Sequence, residues 1–145
     1  AGLRLDGRPS RVFCVVGDGE LAEGQIWEAA MAARVHKLDN LTAILDYNTV
    51  QAMGTVQERF DTTPYREKWD AFGWNTIEAD GHDIQSLTDA FAAAAQVKGK
   101  PSIVIAHTIK GKGLDYAEGN AAYHNGTLTP EQCEAAIGLF MSRSQ

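Results

Sequence analysis

Val12-Phe13-Cys14-Val15-Val16, entered from Arg11 and closed by Gly17-Asp18-Gly19, is apolar at five successive positions. A strand with one wet face alternates apolar and polar side chains, whereas a continuous run fits a strand buried on both faces of a parallel sheet. From Gly24 to Lys37 the period changes, and Ile26, Ala30 and Ala33 fall on one helical face with Trp27 and Met31 beside it. Leu41 to Tyr47, Trp74 to Ala79 and Ser102 to His107 read as three further strands. Tyr65 to Phe72 reads as a short helix broken at Gly73. Asp83 caps a helix reaching about Lys98, with Ile84, Leu87, Ala90, Phe91 and Ala94 directed inward. Past a polar, Gly-rich stretch from Lys110 to Gly126, Thr129 is the N-cap of a last helix with Pro130 in its first turn. This alternation predicts an α/β fold, an open and mostly parallel sheet with flanking helices, as one domain over residues 1–145.

Composition narrows the function classes. The 145 residues suffice for one core, and 44% hydrophobic with 22% charged residues is the balance of a soluble globular chain. Thirteen basic residues against nineteen acidic ones give a net charge of −6, with no cluster of Lys and Arg for a phosphate backbone, so nucleic acid is not an expected partner. No apolar run approaches the ~20 residues that span a bilayer, so no membrane partner is expected. The start lacks the basic-then-apolar pattern of a secretory signal. Neither Cys14 nor Cys133 belongs to a CxxC; Cys14, inside the apolar run, reads as a buried thiol, which suits a reducing cytoplasm.

In open α/β sheets ligands gather beyond the carboxyl ends of the strands. Three polar segments end up on that edge: Gly17 to Glu23, Asn48 to Gly54 and Lys110 to Gly126. Twenty-eight residues lie between Gly19 and Asn48, enough for one strand–helix–strand unit to bring Asp18 and Asn48 to neighbouring strand ends. A carboxylate, an amide oxygen and backbone carbonyls form a hard oxygen set suited to Mg²⁺ or Ca²⁺, with diphosphate oxygens as natural further ligands. Glycines on both sides of Asp18 let the backbone approach a phosphate closely. Taken one at a time, each of these residues is far more often simply a turn former; it is the pair at strand ends with this spacing that points to a site.

Several further segments agree in order, and together the sequence resembles the transketolase family. Gly17-Asp18-Gly19 with Asn48 is similar to the thiamine diphosphate motif, and Gly17 to Ala30, Asn40-Leu41 and Asp46 to Gly54 are similar to the transketolase version of it. So are Lys68-Trp69 through Gly73-Trp74, Asp80-Gly81-His82-Asp83, His107 to Gly113 and Tyr123-His124-Asn125-Gly126.

The resemblance implies that Asp18, Asn48 and the backbone carbonyl of Val50 are ligands of Mg²⁺. It implies that Gly17, Asp18, Gly19, Glu23, Asn48 and His124 belong to the cofactor site, with Gly19 meeting the diphosphate through its backbone. His124 matches a histidine that approaches the diphosphate and the donor substrate, and is the implied catalytic residue. Glu23 matches a glutamate of the dimer interface. Lys110 and Lys112 fall in a loop that would close over the site, and the three tryptophans are packing residues. The implied activity is transfer of a two-carbon ketol unit from a ketose phosphate to an aldose phosphate, as in the pentose phosphate pathway. On this reading the chain is the latter part of the diphosphate-binding domain, and the pyrimidine-binding domain lies outside it. The isolated chain would be inactive, and a homodimer or heterotetramer is the expected assembly. Two alternatives stand beside it: another thiamine diphosphate enzyme such as 1-deoxyxylulose-5-phosphate synthase, and a non-catalytic binding or assembly module.

Overall fold

The computed structural model describes residues 1–143. After a single helical turn, α1 (Gly2–Leu5), the chain enters β1 (Val12–Gly17), a 3₁₀ turn (Gly19–Ala22) and α2 (Gly24–Val35). It continues through β2 (Leu41–Tyr47), the short strands β3 (Val50–Gln51) and β4 (Gly54–Thr55), α3 (Val56–Phe60) and α4 (Tyr65–Ala71). β5 (Asn75–Asp80), α5 (Ile84–Gln96) and β6 (Ser102–His107) follow, then a second 3₁₀ turn (Ala121–Tyr123) and α6 (Pro130–Arg143).

β1, β2, β6 and β5 lie side by side in that order, all parallel, and β3 pairs with β4 in a separate antiparallel hairpin. The register sets Gly17 opposite Asp46, and Tyr47 and Asp80 on either side of His107, so β1, β2, β6 and β5 end level on one edge. The two faces of the sheet carry different helices. Val16, Ala43, Leu45, Ile103 and Ile105 meet Ala30 and Ala33 of α2 and Tyr65 and Trp69 of α4. On the opposite face Ala79 and Val104 pack with Leu87, Ala90 and Phe91 of α5. The period-2 alternation of a pleated strand separates Val104 from its neighbours Ile103 and Ile105 in this way. The tryptophans pack as the sequence implies. Trp69 meets Trp74 edge-on at 4.9 Å, and Trp27 stacks on Phe72 at 5.2 Å.

The predicted α/β sheet with flanking helices is present, and three details differ. β6, not β1, is the strand buried on both faces, with Ser102 to Ala106 all buried. β1 has a single strand neighbour among the described residues and leaves Phe13 53% and Val15 69% exposed. Cys14 shares that position and is exposed rather than buried. An apolar run encodes a strand suited to burial, but the number of neighbours it receives is decided by topology. In α5 the inward stripe is Leu87, Ala90, Phe91 and Ala94, while Ile84, the first residue after the Asp83 cap, falls outside the contact and is 77% exposed. The hairpin β3–β4 and α3 are additions to the elements that the apolar pattern predicts. α3 starts at a reciprocal cap, in which the Glu58 N–H donates to Thr55 Oγ1 and the Thr55 N–H donates to the Glu58 carboxylate.

Candidate cofactor site

Asp18 follows β1 directly and Asn48 follows β2, so the level ends of two paired strands bring them together. The Asp18 side chain is almost wholly buried. Its Oδ1 accepts from the Gly19 N–H at 2.8 Å, and its Oδ2 accepts from the Thr49 N–H at 2.6 Å. Thr49 reaches that position through a positive φ of 65°, a left-handed conformation that a β-branched residue rarely adopts. Beneath the turn, the Thr62 hydroxyl donates to the Asp18 carbonyl at 3.2 Å and lies 3.0 Å from the Tyr65 hydroxyl. Trp27 holds the following 3₁₀ turn by donating its indole N–H to the Leu21 carbonyl at 2.8 Å.

Asn48 is fixed just as closely. Its Oδ1 accepts from the Val50 N–H at 3.0 Å, and its Nδ2 donates to Asp46 Oδ2 at 2.8 Å. The other oxygen of Asp46 accepts from the Thr108 hydroxyl, just beyond β6. Burial pushes the Asp18 carboxyl above its ordinary value, against the pull of the two N–H bonds, and the nearby Asp46 carboxylate adds to the rise. A desolvated carboxylate of this kind, Asp18, is a place where a cation is electrostatically welcome.

Gly17, Asp18, Gly19, Glu23, Asn48, Val50 and His124 all line one cleft of about 410 Å³ at this sheet edge. Lys110 also lines it; Lys112 does not, and lies 3.8 Å from Glu118 in the same loop. His124 is exposed at the end of the second 3₁₀ turn. Glu23 is exposed too and accepts from Gln25. The Gly19 N–H is turned onto Asp18 rather than outward. Asp46, Thr49, Thr62 and Thr108 complete the cleft or its supports, and none of the four is singled out by the sequence reading. A second cleft of about 440 Å³ is lined by Tyr47, Arg66, Glu78 and His107. There Arg66 Nε lies 2.7 Å and His107 Nε2 3.1 Å from the Glu78 carboxylate.

The donors fit a hard cation held jointly with a ligand. Asp18 carboxylate, Asn48 Oδ1 and the Val50 carbonyl are all oxygen, and among the described residues no three His, Cys, Asp or Glu side chains converge into a metal cluster. Such a site needs further oxygens from what it binds, as a diphosphate would supply.

A family model described as transketolase, thiamine diphosphate binding domain, matches residues 6–139. The chain belongs to this family. It is 44% identical over 135 residues to a 6-deoxy-6-sulfo-D-fructose transketolase subunit of Clostridium sp. (strain MSTE9), covering 93% of this chain and 49% of that one. It is 41% identical over 134 residues to an apulose-4-phosphate transketolase subunit of Phocaeicola vulgatus, covering 92% of this chain and 48% of that protein. The chain therefore spans about half the length of these curated relatives. Among solved structures, the transketolase of Campylobacter jejuni superposes with a TM-score of 0.84 at 31% identity, over 90% of this chain and 20% of that one. As a transketolase thiamine diphosphate-binding domain, the chain carries its polar cleft on the sheet edge where the family's α/β architecture gathers ligands.

Proposed function

We propose that this chain supplies the diphosphate and Mg²⁺ site of a transketolase that moves a two-carbon ketol unit from a ketose phosphate to an aldose phosphate. The observation that carries the reading is the convergence of Asp18, Asn48, Val50 and His124 on one cleft at the strand ends. Thiamine diphosphate, when bound, supplies the carbon nucleophile that this chain's side chains lack.

The chain's own groups bind, orient and move protons. Asp18, Asn48 Oδ1 and the Val50 carbonyl would hold Mg²⁺ (Ca²⁺ suits the same oxygens), each already fixed by a backbone turn or strand pairing, so little ordering remains to be done on binding. Glycines 17 and 19 keep side chains away from the diphosphate path. The ring nitrogens of His124 would donate to a phosphate oxygen or take the proton of a substrate hydroxyl. Lys110 adds positive charge to the same cleft. Glu23, exposed at its rim, is the residue we assign to contact with a second protomer. The two relatives named as subunits point to a partner chain, and we assign the pyrimidine-binding domain to it or to another part of the protein. A homodimer or a heterotetramer meets that need. Among the described residues no helix is long and apolar enough to cross a membrane, and we place the reaction in the cytoplasm.

Calorimetric titration tests the site. Thiamine diphosphate binding should require Mg²⁺, and Mg²⁺ binding should tighten by the same factor when thiamine diphosphate is present, because linkage is reciprocal. Asp18→Ala should abolish both. Metal-independent binding, or binding unchanged in Asp18→Ala, would refute the assignment. In the assembled enzyme, ketol transfer from xylulose 5-phosphate with no turnover of pyruvate separates transketolase from the deoxyxylulose phosphate synthase reaction.

A further inference from the structure

Asp46 stands at the end of β2, half-buried, directly opposite Gly17 in the strand register and two residues before Asn48. Its backbone carbonyl accepts from the Asp18 N–H at 3.2 Å. Each oxygen of its carboxylate has one partner: the Thr108 hydroxyl on one side and the Asn48 amide nitrogen, at 2.8 Å, on the other. A primary amide has two nearly isosteric ends, of which only the oxygen can bind a cation. A carboxylate accepts and does not donate, so the end of Asn48 facing Asp46 must be nitrogen. The Val50 N–H donates and does not accept, so the end facing it must be oxygen. That oxygen keeps one lone pair beyond the one Val50 uses.

We propose that Asp46, clamped by Thr108, is a positioning residue that locks the Asn48 amide with its oxygen available to the cation. This rests on the metal-site reading above and assigns no direct ligation to Asp46. The clamp reaches across the sheet. Thr108 lies beyond β6, its N–H donates to the Tyr47 carbonyl at 3.0 Å, and Gly81, after β5, packs against it so closely that a Cβ there would fall 2.3 Å from Thr108 Cγ2. The ends of β2, β6 and β5 thus act together on one amide.

The two ways Asp46 could act, by charge or by orientation, separate in substitution. In Asp46→Asn the new side-chain carbonyl still accepts from Asn48 Nδ2, and its amide donates to Thr108 Oγ1, which can rotate to accept. Orientation survives and the charge is gone. Asp46→Leu removes both. The measurement is Mn²⁺ affinity, by electron paramagnetic resonance of free Mn²⁺, in the assembled protein that carries this chain, with thiamine diphosphate present and thermal melts run alongside.

The expected result is Mn²⁺ binding within about threefold of the parent for Asp46→Asn, and a loss of about 10–100-fold for Asp46→Leu, the usual effect of removing an outer-shell partner. Thr108→Val, which removes the hydroxyl donor and leaves one side of the carboxylate unpaired, should weaken Mn²⁺ by several-fold; with a melt matching the parent, it decides the matter if Asp46→Leu melts early. Equal losses in Asp46→Asn and Asp46→Leu would overturn the proposal in favour of charge, and unchanged affinity in Asp46→Leu and Thr108→Val would overturn it by denying Asp46 either role. If the parent itself takes up no Mn²⁺, or Asp18→Ala takes it up equally well, the metal site falls and the proposal with it. A parent that binds and an Asp18→Ala that does not, with indifferent Asp46 and Thr108 variants, remove the proposal alone.

Discussion

Tyr65 lies buried beneath the candidate site, 4% exposed, with Thr62 between its hydroxyl and the Asp18 carbonyl. Burial pushes its phenol up to about 12, against the Thr62 hydrogen bond, from an ordinary value near 10. Below pH ~10 both folded and unfolded chains carry the proton, so the group makes no contribution to the pH dependence of stability. Between pH 10 and 12 the unfolded chain releases it and the folded chain does not, so stability falls as pH rises. The loss should be about 3 kcal/mol at most, by linkage over about two pH units. Urea melts from about pH 8 to 12 would show a decline that is shallower in Tyr65→Phe; parallel declines would deny the shift. At this scale the sequence exposes residues whose role follows from type and local spacing. Asp18 between glycines, and Asn48 at the next strand end, are legible in that way. Thr62 and Thr108 are not. Their contacts to Asp18 and Asp46 span 44 and 62 residues, and a lone threonine in a polar stretch looks the same with or without them. Asp46 is legible as part of a motif, but its grip on Asn48 depends on a turn that only the fold defines.

The level carboxyl ends of β2, β6 and β5 define the element scale. The turn after β5 is drawn in by the Gly81 N–H, which donates to the His107 carbonyl at 2.8 Å. A methyl at this position would meet both that carbonyl, at 3.0 Å, and Thr108 Cγ2. Gly81→Ala should therefore cost about 1–3 kcal/mol in chemical denaturation, the range for an overpacked contact. A cost near zero would mean that the β5–α5 turn moves freely against Thr108. The four main strands and the helices α2, α4 and α5 are readable because each carries an apolar pattern longer than a turn, and α6 is readable from the Thr129 cap and Pro130 at its start. The hairpin β3–β4 is not, since two-residue strands have no period to detect. α3 carries a usable signal, the Thr55-x-x-Glu58 cap, hidden by its five-residue length. The rank order of burial among strands is also hidden. β1 and β6 are both apolar, and only the insertion of β6 between β2 and β5 makes it the interior one.

For the whole molecule, the site is divided between strands of unequal security. Among the described residues β6 is paired on both sides and buried on both faces, and β2 is paired on both sides, while β1 is paired on one side and largely exposed. Asp18 is carried by β1 and Asn48 by β2. Amide hydrogen exchange, which reports the free energy of local opening, should be slowest in β6 and fastest, among the four main strands, in β1. Any molecule gripping both strand ends acts as a staple across the β1–β2 register. Addition of thiamine diphosphate with Mg²⁺ should slow exchange in β1 selectively, with Val15 and Val16 more affected than Val104 and Ile105. Uniform slowing across the sheet, or none, would contradict this. The same exposed strand thus makes ligand occupancy and local order a single equilibrium: the outer rim of the sheet is quietest when the site is filled.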